Sequence, residues 1–212
     1  MRRGRCQAVS RRCASPHTRS VRLQVSLSDA SSSRDVKAAE QTEVEYGDGV
    51  LRATAPAAKN PILGSSGSVE VTVQLPAGSR IEAKTAGAEF HTVGRLGDVD
   101  FEGAQGTVEL DETASARLTL LAGDVSVGRL GGPARISTQK GAIHITEATT
   151  GAVTLSTEHG DISVGAARGA SASLDARTSY GRIHNALNNT DGATGLTIHA
   201  TTSYGDITAR SL

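Results

Sequence analysis

Polar and apolar residues alternate over short segments along most of this chain. The clearest segment covers residues 68–75, in which Val69, Val71, Val73 and Leu75 share one side. This period of two is typical of a β-strand with one buried face. Two earlier alternating segments, 42–46 and 50–54, are separated by Gly-Asp-Gly and predict a β-hairpin.

From residue 87 onward the alternating segments repeat. A Gly-x-(Ile/Val)-x pattern, or a close variant of it, begins at six glycines: Gly106, Gly123, Gly141, Gly160, Gly181 and Gly205. The steps between these glycines are 17, 18, 19, 21 and 24 residues. A second, less regular series of strands falls between them, so each repeat unit carries at least two short strands.

These repeats predict an all-β fold in which each unit is one coil of a parallel β-solenoid, or β-helix. A strand of about five residues cannot bury an apolar face alone, but stacked coils pair their backbones and align their apolar residues. The alternative is an antiparallel β-sandwich, which would favour two-residue hairpin loops that are scarce in the repeats. We expect a disordered Arg/Ser-rich leader at 1–35, capping β-strands at 36–86 and solenoid repeats at 87–212.

Three features of the sequence resemble those of a known family. They are the segment Val-Glu-Val-Thr-Val-Gln-Leu-Pro-Ala-Gly-Ser at 69–79, the repeated Gly-Asp-(Ile/Val) strands, and Ser-Tyr-Gly-Asp-Ile at 203–207. Over residues 34–212 the chain resembles a bacterial domain-of-unknown-function family of β-strand-repeat-containing proteins described as adhesins. The resemblance implies a right-handed β-helix, a role in surface interaction and no catalytic residues. Members of that family begin with alternating apolar strands at the place where this chain has its Arg/Ser-rich leader. One hypothesis is that the leader is translated from a shifted or misassigned start codon.

Composition restricts both the core and the partners. Of 212 residues only two are Phe and three Tyr, with no Trp, so Val, Ile, Leu and Ala must fill the core. Residues 1–22 contain seven Arg and no acid, which leaves 15 basic against 22 acidic residues in the remainder. An acidic body argues against nucleic acid as a partner. We find no signal peptide or membrane-length apolar stretch, and expect cytoplasmic residence and no membrane partner, with export open if the start is misassigned.

Histidine and aspartate are the first candidates for chemistry. The histidines are interpreted as surface imidazoles on an outward face, and the aspartates as residues that stabilise turns. His144 and His184 share a column, and stacking in chain order would place them two coils, or about 10 Å, apart, too far for one metal ion. Four aspartates each follow a glycine, namely Asp98, Asp124, Asp161 and Asp206. In the column after the six corner glycines, carboxylates alternate in chain order with other residues and never adjoin. We therefore predict no metal site, no cofactor and no catalytic residue, with aspartate capping backbone donors in turns. Cys6 and Cys13 both lie in the leader and cannot staple the repeats.

Tyrosine offers a candidate binding site. Tyr180 and Tyr204 occupy the column of His159, directly before the corner glycine. Aromatic rings on adjacent coils form a platform for sugars or cover a corner, and both roles stay open.

These observations predict a non-enzymatic structural or interaction protein of adhesin-like architecture, with a protein or glycan surface as its partner. The alternative is a polysaccharide-acting β-helix enzyme, which needs neighbouring carboxylates in a groove. After Gly205 too few residues remain for a cap, so we expect the last coil to expose strand edges through which copies of the chain could associate.

Overall fold

A computed structural model describes residues 11–13, 21–27, 42–47, 49–54, 69–188 and 195–212. All regular structure in these residues is β-strand, and they fall into two compact units, Met1–Pro76 and Ala77–Leu212. The described residues contain no helix with the length and apolar character that crossing a bilayer requires.

The described residues of the first unit form two small antiparallel sheets. Its strands are β1 Arg11–Cys13, β2 Val21–Leu27, β3 Glu43–Gly47, β4 Val50–Thr54 and β5 Val69–Gln74. The β3–β4 hairpin confirms the predicted pairing around Gly47. In the other sheet β2 lies between β1 and β5. Two segments of the leader predicted to be disordered, β1 and β2, are therefore strands. In β2 the apolar residues Val21, Leu23, Val25 and Leu27 alternate with polar ones, as a strand requires. The other residues of the leader lie outside the described ranges, and the domain boundaries stay a prediction.

The second unit is a 13-stranded sheet whose described pairings are all parallel. Its strands are β6 Ile81–Gly87, β7 Phe90–His91, β8 Arg95–Gln105, β9 Val108–Ala122, β10 Val125–Leu130, β11 Ala134–Lys140, β12 Ile143–Ala148, β13 Gly151–His159, β14 Ile162–Ala166, β15 Ala172–Tyr180, β16 Ile183–Ala186, β17 Leu196–Tyr204 and β18 Ile207–Ser211. The prediction of a parallel β-solenoid is confirmed, and the antiparallel sandwich is wrong for the repeats.

Each coil contributes one strand to each of two faces. We number the coils in chain order, and β9 is long enough at 15 residues to turn a corner and serve two of them. The coils are coil 1 (β6, β7), coil 2 (β8, first half of β9), coil 3 (second half of β9, β10), coil 4 (β11, β12), coil 5 (β13, β14), coil 6 (β15, β16) and coil 7 (β17, β18). Face 1 contains β6, β8, the second half of β9, β11, β13, β15 and β17, and face 2 contains the other strands.

The stacking order of the coils differs from their order along the chain. Strand β17 lies between β13 and β15, and β18 lies between β14 and β16. Coil 7 is therefore inserted between coils 5 and 6, giving the spatial order 1-2-3-4-5-7-6. The expectation that the last coil of the chain ends the solenoid is wrong. Coil 7 is covered on both sides, and coil 6 is terminal among the described residues.

The core lies between the two faces and consists of stacked columns of small aliphatic side chains. One column on face 1 contains Phe101, Leu118, Ile136, Leu155 and Ala200, each no more than 2% exposed. The matching column on face 2 contains Val108, Val125, Ile143, Ile162 and Ile207, each at most 1% exposed. Period-two alternation in every coil places these side chains inside and the intervening polar ones outside.

Glycine is required at the corner between the two faces because the coils approach closely there. A Cβ added to Gly160 would lie 2.1 Å from the carbonyl oxygen of Gly141, and one added to Gly205 would lie 2.1 Å from that of Gly160. Both glycines have a positive φ, 153° and 151°. The predicted role of the repeated glycines as corners is thus explained by contact between coils as well as by backbone conformation.

The spatial order of the coils is testable by disulfide crosslinking. Ser163 on coil 5 is in register with Thr208 on coil 7, whereas chain-order stacking would place it beside His184. Neighbouring strands lie about 4.8 Å apart, within the Cα range that a disulfide bridges. In a Cys6→Ser, Cys13→Ser background, we expect Ser163→Cys with Thr208→Cys to oxidise to an intramolecular disulfide. The pair Ser163→Cys with His184→Cys should stay reduced, and the reverse result would refute the order.

The corner contact predicts a position-dependent cost of alanine. Gly160→Ala should lower the free energy of unfolding by about 2 kcal/mol or more, because its Cβ overlaps backbone atoms that cannot move independently. Gly195→Ala is the matched control, since its Cβ would have no neighbour closer than 4.0 Å. We expect that control to change stability by less than about 0.5 kcal/mol in urea denaturation. Equal losses in the two variants would contradict the close approach.

Candidate functional site

Three aromatic rings share one exposed corner of the solenoid. His159, Tyr204 and Tyr180 are the last residues of β13, β17 and β15, and they are in register with one another. Since each stands directly before a corner glycine, the register places all three side chains in one row along the solenoid. The sequence predicted that they share a column, but stacking in chain order would have put Tyr180 in the middle.

The rings stack face to face. The Tyr180 and Tyr204 ring centroids are 4.8 Å apart at an interplanar angle of 5°, and those of His159 and Tyr204 are 5.0 Å apart at 9°. These separations match the spacing of neighbouring strands, so the backbone itself sets the ring spacing. Tyr180 and Tyr204 remain 67% and 50% exposed. We call this row of three rings the aromatic ladder.

The ladder exposes ring edges more than ring faces. Both faces of Tyr204 are covered by its two neighbours, and one face of Tyr180 is covered by Tyr204. A flat platform of side-by-side rings would present faces to a ligand. In the ladder, contact with a ligand must therefore use ring edges, the phenol hydroxyls and the outer face of Tyr180. Whether Tyr180 and Tyr204 bind a ligand stays a prediction.

A row of threonines behind the ladder holds its corner in place. Two residues before each ring, the hydroxyls of Thr157, Thr202 and Thr178 donate to the corner glycine carbonyl of the preceding coil in space, at 3.0, 3.1 and 3.1 Å. Thr157 and Thr202 are only 3% and 2% exposed. Buried hydroxyls with a partner on the next coil lock the register from which the rings project. The repeated Thr two positions before the ring was the sequence signal for this row.

The aspartates after the corner glycines form a second row, and here the chain-order prediction is wrong. Because coil 7 follows coil 5 in space, Asp161 and Asp206 adjoin. The Asp206 backbone N–H donates to Asp161 Oδ1 at 2.8 Å, and the Arg182 N–H donates to Asp206 Oδ1 at 2.8 Å. Asp124 Oδ1 accepts from the Ala142 N–H in the same way. The predicted capping of backbone donors therefore occurs, but between coils.

Histidines on the outward side of face 2 are dispersed. Between His144 and His184 lie Ser163 and Thr208, so the two imidazoles are three coils, or about 14 Å, apart and not the two coils that chain order implied. Within the described ranges no group of three or more His, Cys, Asp or Glu side chains is placed to hold a metal ion.

A shallow concavity on the first coils brings together a histidine and carboxylates that the sequence analysis did not connect. His91 Nδ1 lies 3.1 Å from Glu109 Oε2, and Asp111 borders the same concavity of about 370 Å³. Asp111 Oδ2 accepts a hydrogen bond from the Gly94 N–H at 2.8 Å. No sequence signal marked this group, because its members come from different coils and follow no motif.

Face 1 carries outward ion pairs at both ends of its coil stack. On coil 1, Lys84 Nζ lies 2.9 Å from Glu102 Oε2, and the hydrogen bond and attraction of that carboxylate raise the pKa of Lys84 above its ordinary value. On coil 6, Asp175 Oδ2 lies 3.7 Å from Arg177 Nη2 and 3.4 Å from His199 Nδ1. All of these side chains are largely exposed, so their ion pairs contribute little to stability.

A family model described as Toastrack DUF4097 matches residues 17–210. The chain belongs to the Toastrack DUF4097 family. Its match begins inside the predicted leader and includes β2, so this domain extends further toward the N-terminus than the resemblance over residues 34–212 indicated. No curated protein and no solved structure matches the chain. The Toastrack assignment supports the β-repeat fold and names no ligand.

Proposed function

We propose that this Toastrack chain is a non-enzymatic interaction module that binds a glycan through the aromatic ladder. The observation that carries the proposal is the stacking of Tyr180 and Tyr204 in an exposed position. The whole chain has only five Phe, Tyr and Trp residues, and two of them project into solvent at one corner. Exposed tyrosines gathered on a rigid scaffold are typical of binding surfaces.

The scaffold favours binding because the rings are already ordered. Strand register and the buried threonine row fix the backbone beneath them, and ring-to-ring stacking restricts their side chains. Binding through preorganised side chains loses little conformational entropy. A ligand therefore retains most of the free energy of its contacts with the ladder.

The chemistry around the ladder suits a carbohydrate. Ser179 and Ser203 directly precede Tyr180 and Tyr204, so each ring has a serine on the adjacent residue of its strand. A sugar presents C–H groups that contact aromatic surfaces and hydroxyls that pair with serine and phenol oxygens. The adhesin-like role implied by the sequence resemblance agrees with a glycan ligand.

Replacing both tyrosines tests this proposal. In Tyr180→Ala with Tyr204→Ala, we expect binding to the glycans recognised by the wild-type chain to weaken at least about tenfold, because the contact surface is removed. The measurement is a glycan array followed by calorimetry on the best ligand. Leu121→Ala is the matched control, since Leu121 is a 51% exposed apolar residue elsewhere on face 1. A wild-type chain that binds no glycan, or equal losses in both variants, would contradict the proposal.

The concavity on coils 1 to 3 supports a second candidate, a polysaccharide hydrolase. Glu109 and Asp111 are two residues apart on β9, which separates their backbones by about 7 Å, and His91 contacts Glu109. Inverting glycosidases hold two carboxyl groups about 6.5–9.5 Å apart, and two outward side chains at this backbone spacing are able to reach that separation. Asp111 already accepts a hydrogen bond from the Gly94 N–H, however, which favours a role in the turn.

An activity assay separates the two candidates. We expect the wild-type chain to release no reducing ends from a panel of polysaccharides, because the proposed module does not break bonds. Activity that is lost in Glu109→Gln but kept in Glu147→Gln would favour the hydrolase. Glu147 is a suitable control because it lies on face 2 near Arg129, with 3.8 Å between Arg129 Nη2 and Glu147 Oε1.

A further inference from the structure

Coil 6 ends the solenoid with two strand edges that have no described partner. Among the described residues β15 pairs with β17 and β16 pairs with β18, and neither has a second neighbour. Ile183 on β16 is 47% exposed, whereas its column neighbours Ile207 and Ile162 are each 1% exposed. The apolar column therefore reaches the terminal coil, where no coil within the described ranges covers it. Such an edge offers backbone hydrogen bonds and apolar contact to another strand.

Head-to-tail stacking of copies is opposed by charge. To continue the solenoid in register, β15 would accept β6 of a second copy. Strand register on face 1 aligns Asp175 of coil 6 with Glu82 of coil 1, and Arg177 of coil 6 with Lys84 of coil 1. In a head-to-tail contact, Asp175 would therefore lie opposite Glu82 and Arg177 opposite Lys84 of the second copy. Like charges would thus face each other twice across the new interface, which destabilises strand pairing. This arrangement of charges disfavours a growing filament.

A two-fold contact instead matches opposite charges. If β15 pairs antiparallel with β15 of a second copy about Ala176, Asp175 of each chain faces Arg177 of the other. Asp175 and Arg177 flank Ala176 on the outward side of one strand, so the match follows from their spacing. Within the chain Asp175 lies 3.7 Å from Arg177 and 3.4 Å from His199 Nδ1. Both contacts are exposed and contribute little, so Asp175 and Arg177 can turn toward a new partner.

We propose that a second copy of this chain covers coil 6, through antiparallel two-fold pairing of β15 with β15 centred on Ala176. The contact is isologous, so it closes at a dimer and leaves coil 1 outside the interface. It goes beyond the glycan-binding proposal and rests on different observations. Because the two-fold reverses the strand direction, the two aromatic ladders lie at opposite corners of the dimer.

Crosslinking between copies tests the pairing register. Antiparallel pairing about Ala176 places Ser173 of one chain opposite Ser179 of the other, both on the outward side with Asp175 and Arg177. In a Cys6→Ser, Cys13→Ser background, an oxidised mixture of Ser173→Cys and Ser179→Cys chains should form a disulfide-linked dimer. Neither variant alone should do so. Crosslinking by Ser173→Cys alone, or no crosslinking in the mixture, would overturn the proposed register.

Charge variants test the interface independently, by sedimentation velocity on the full chain with a monomer mass of 21.7 kDa. We expect a reversible dimer of the wild-type chain at high concentration. Arg177→Asp should raise its dissociation constant at least about tenfold, since both ion pairs become carboxylate pairs. Arg135→Asp, on face 1 three coils away, is the control and should leave dimerisation unchanged.

The double exchange Asp175→Arg with Arg177→Asp distinguishes the two-fold from head-to-tail stacking. Under two-fold pairing the exchange restores opposite charges and should recover the dimer that Arg177→Asp loses. In head-to-tail stacking it would instead place the introduced arginine opposite Glu82 and the introduced aspartate opposite Lys84, and so promote growing oligomers. Recovery of the dimer supports the proposal. Open-ended growth, or a wild-type chain that stays monomeric at millimolar concentration, overturns it.

Discussion

The close backbone contact between corner glycines of neighbouring coils is the constraint on which the solenoid depends. Each corner glycine from coil 2 onward lies against a backbone carbonyl oxygen of the preceding coil in space, that of Ala88 for Gly106 and that of another glycine elsewhere, leaving no room for a Cβ. The contact keeps successive coils in one register, and parallel pairing then aligns every column of side chains. Loss of one corner would therefore disturb the core columns, the threonine row and the aromatic ladder together.

The same register gives each row its role. Inside, aliphatic columns bury their side chains almost completely, although the chain has few aromatics to contribute. At the corner, Thr202 and Asp161 use the register to satisfy backbone groups of the neighbouring coil. Outside, register stacks Tyr204 between His159 and Tyr180 without any contribution from the core. The core columns, the corner rows and the aromatic ladder thus share one register and differ in the direction in which their side chains point.

Insertion of coil 7 between coils 5 and 6 decides several properties that depend on neighbours. It makes Asp161 and Asp206 adjacent, separates His144 from His184 by a further coil and puts Tyr204 in the centre of the ladder. It also leaves coil 6 as the end of the stack, with Asp175 and Arg177 on its outer strand. The ladder of one chain and the strand edge proposed to pair with a second copy consequently meet at Tyr180, the last residue of β15.

The sequence alone determined the β-solenoid, the glycine corners and the membership of Tyr180, Tyr204 and His159 in one column, because period-two alternation and repeated motifs are local properties of the chain. It did not reveal the strand at Val21–Leu27, which lies among Arg and Ser residues, or the approach of His91 to Glu109, which spans two coils. The order of the last coils was decided only in the tertiary structure. Coils 6 and 7 carry the same Thr-Ser-Tyr-Gly corner, so either could stack on coil 5 by pattern alone. The order fits the burial of each coil. Leu196, Ile198 and Ile207 of coil 7 are almost fully buried between two neighbouring coils. Coil 6 lies at the exposed end, and it carries Asn185 at a core column position that is aliphatic in coils 2 to 5.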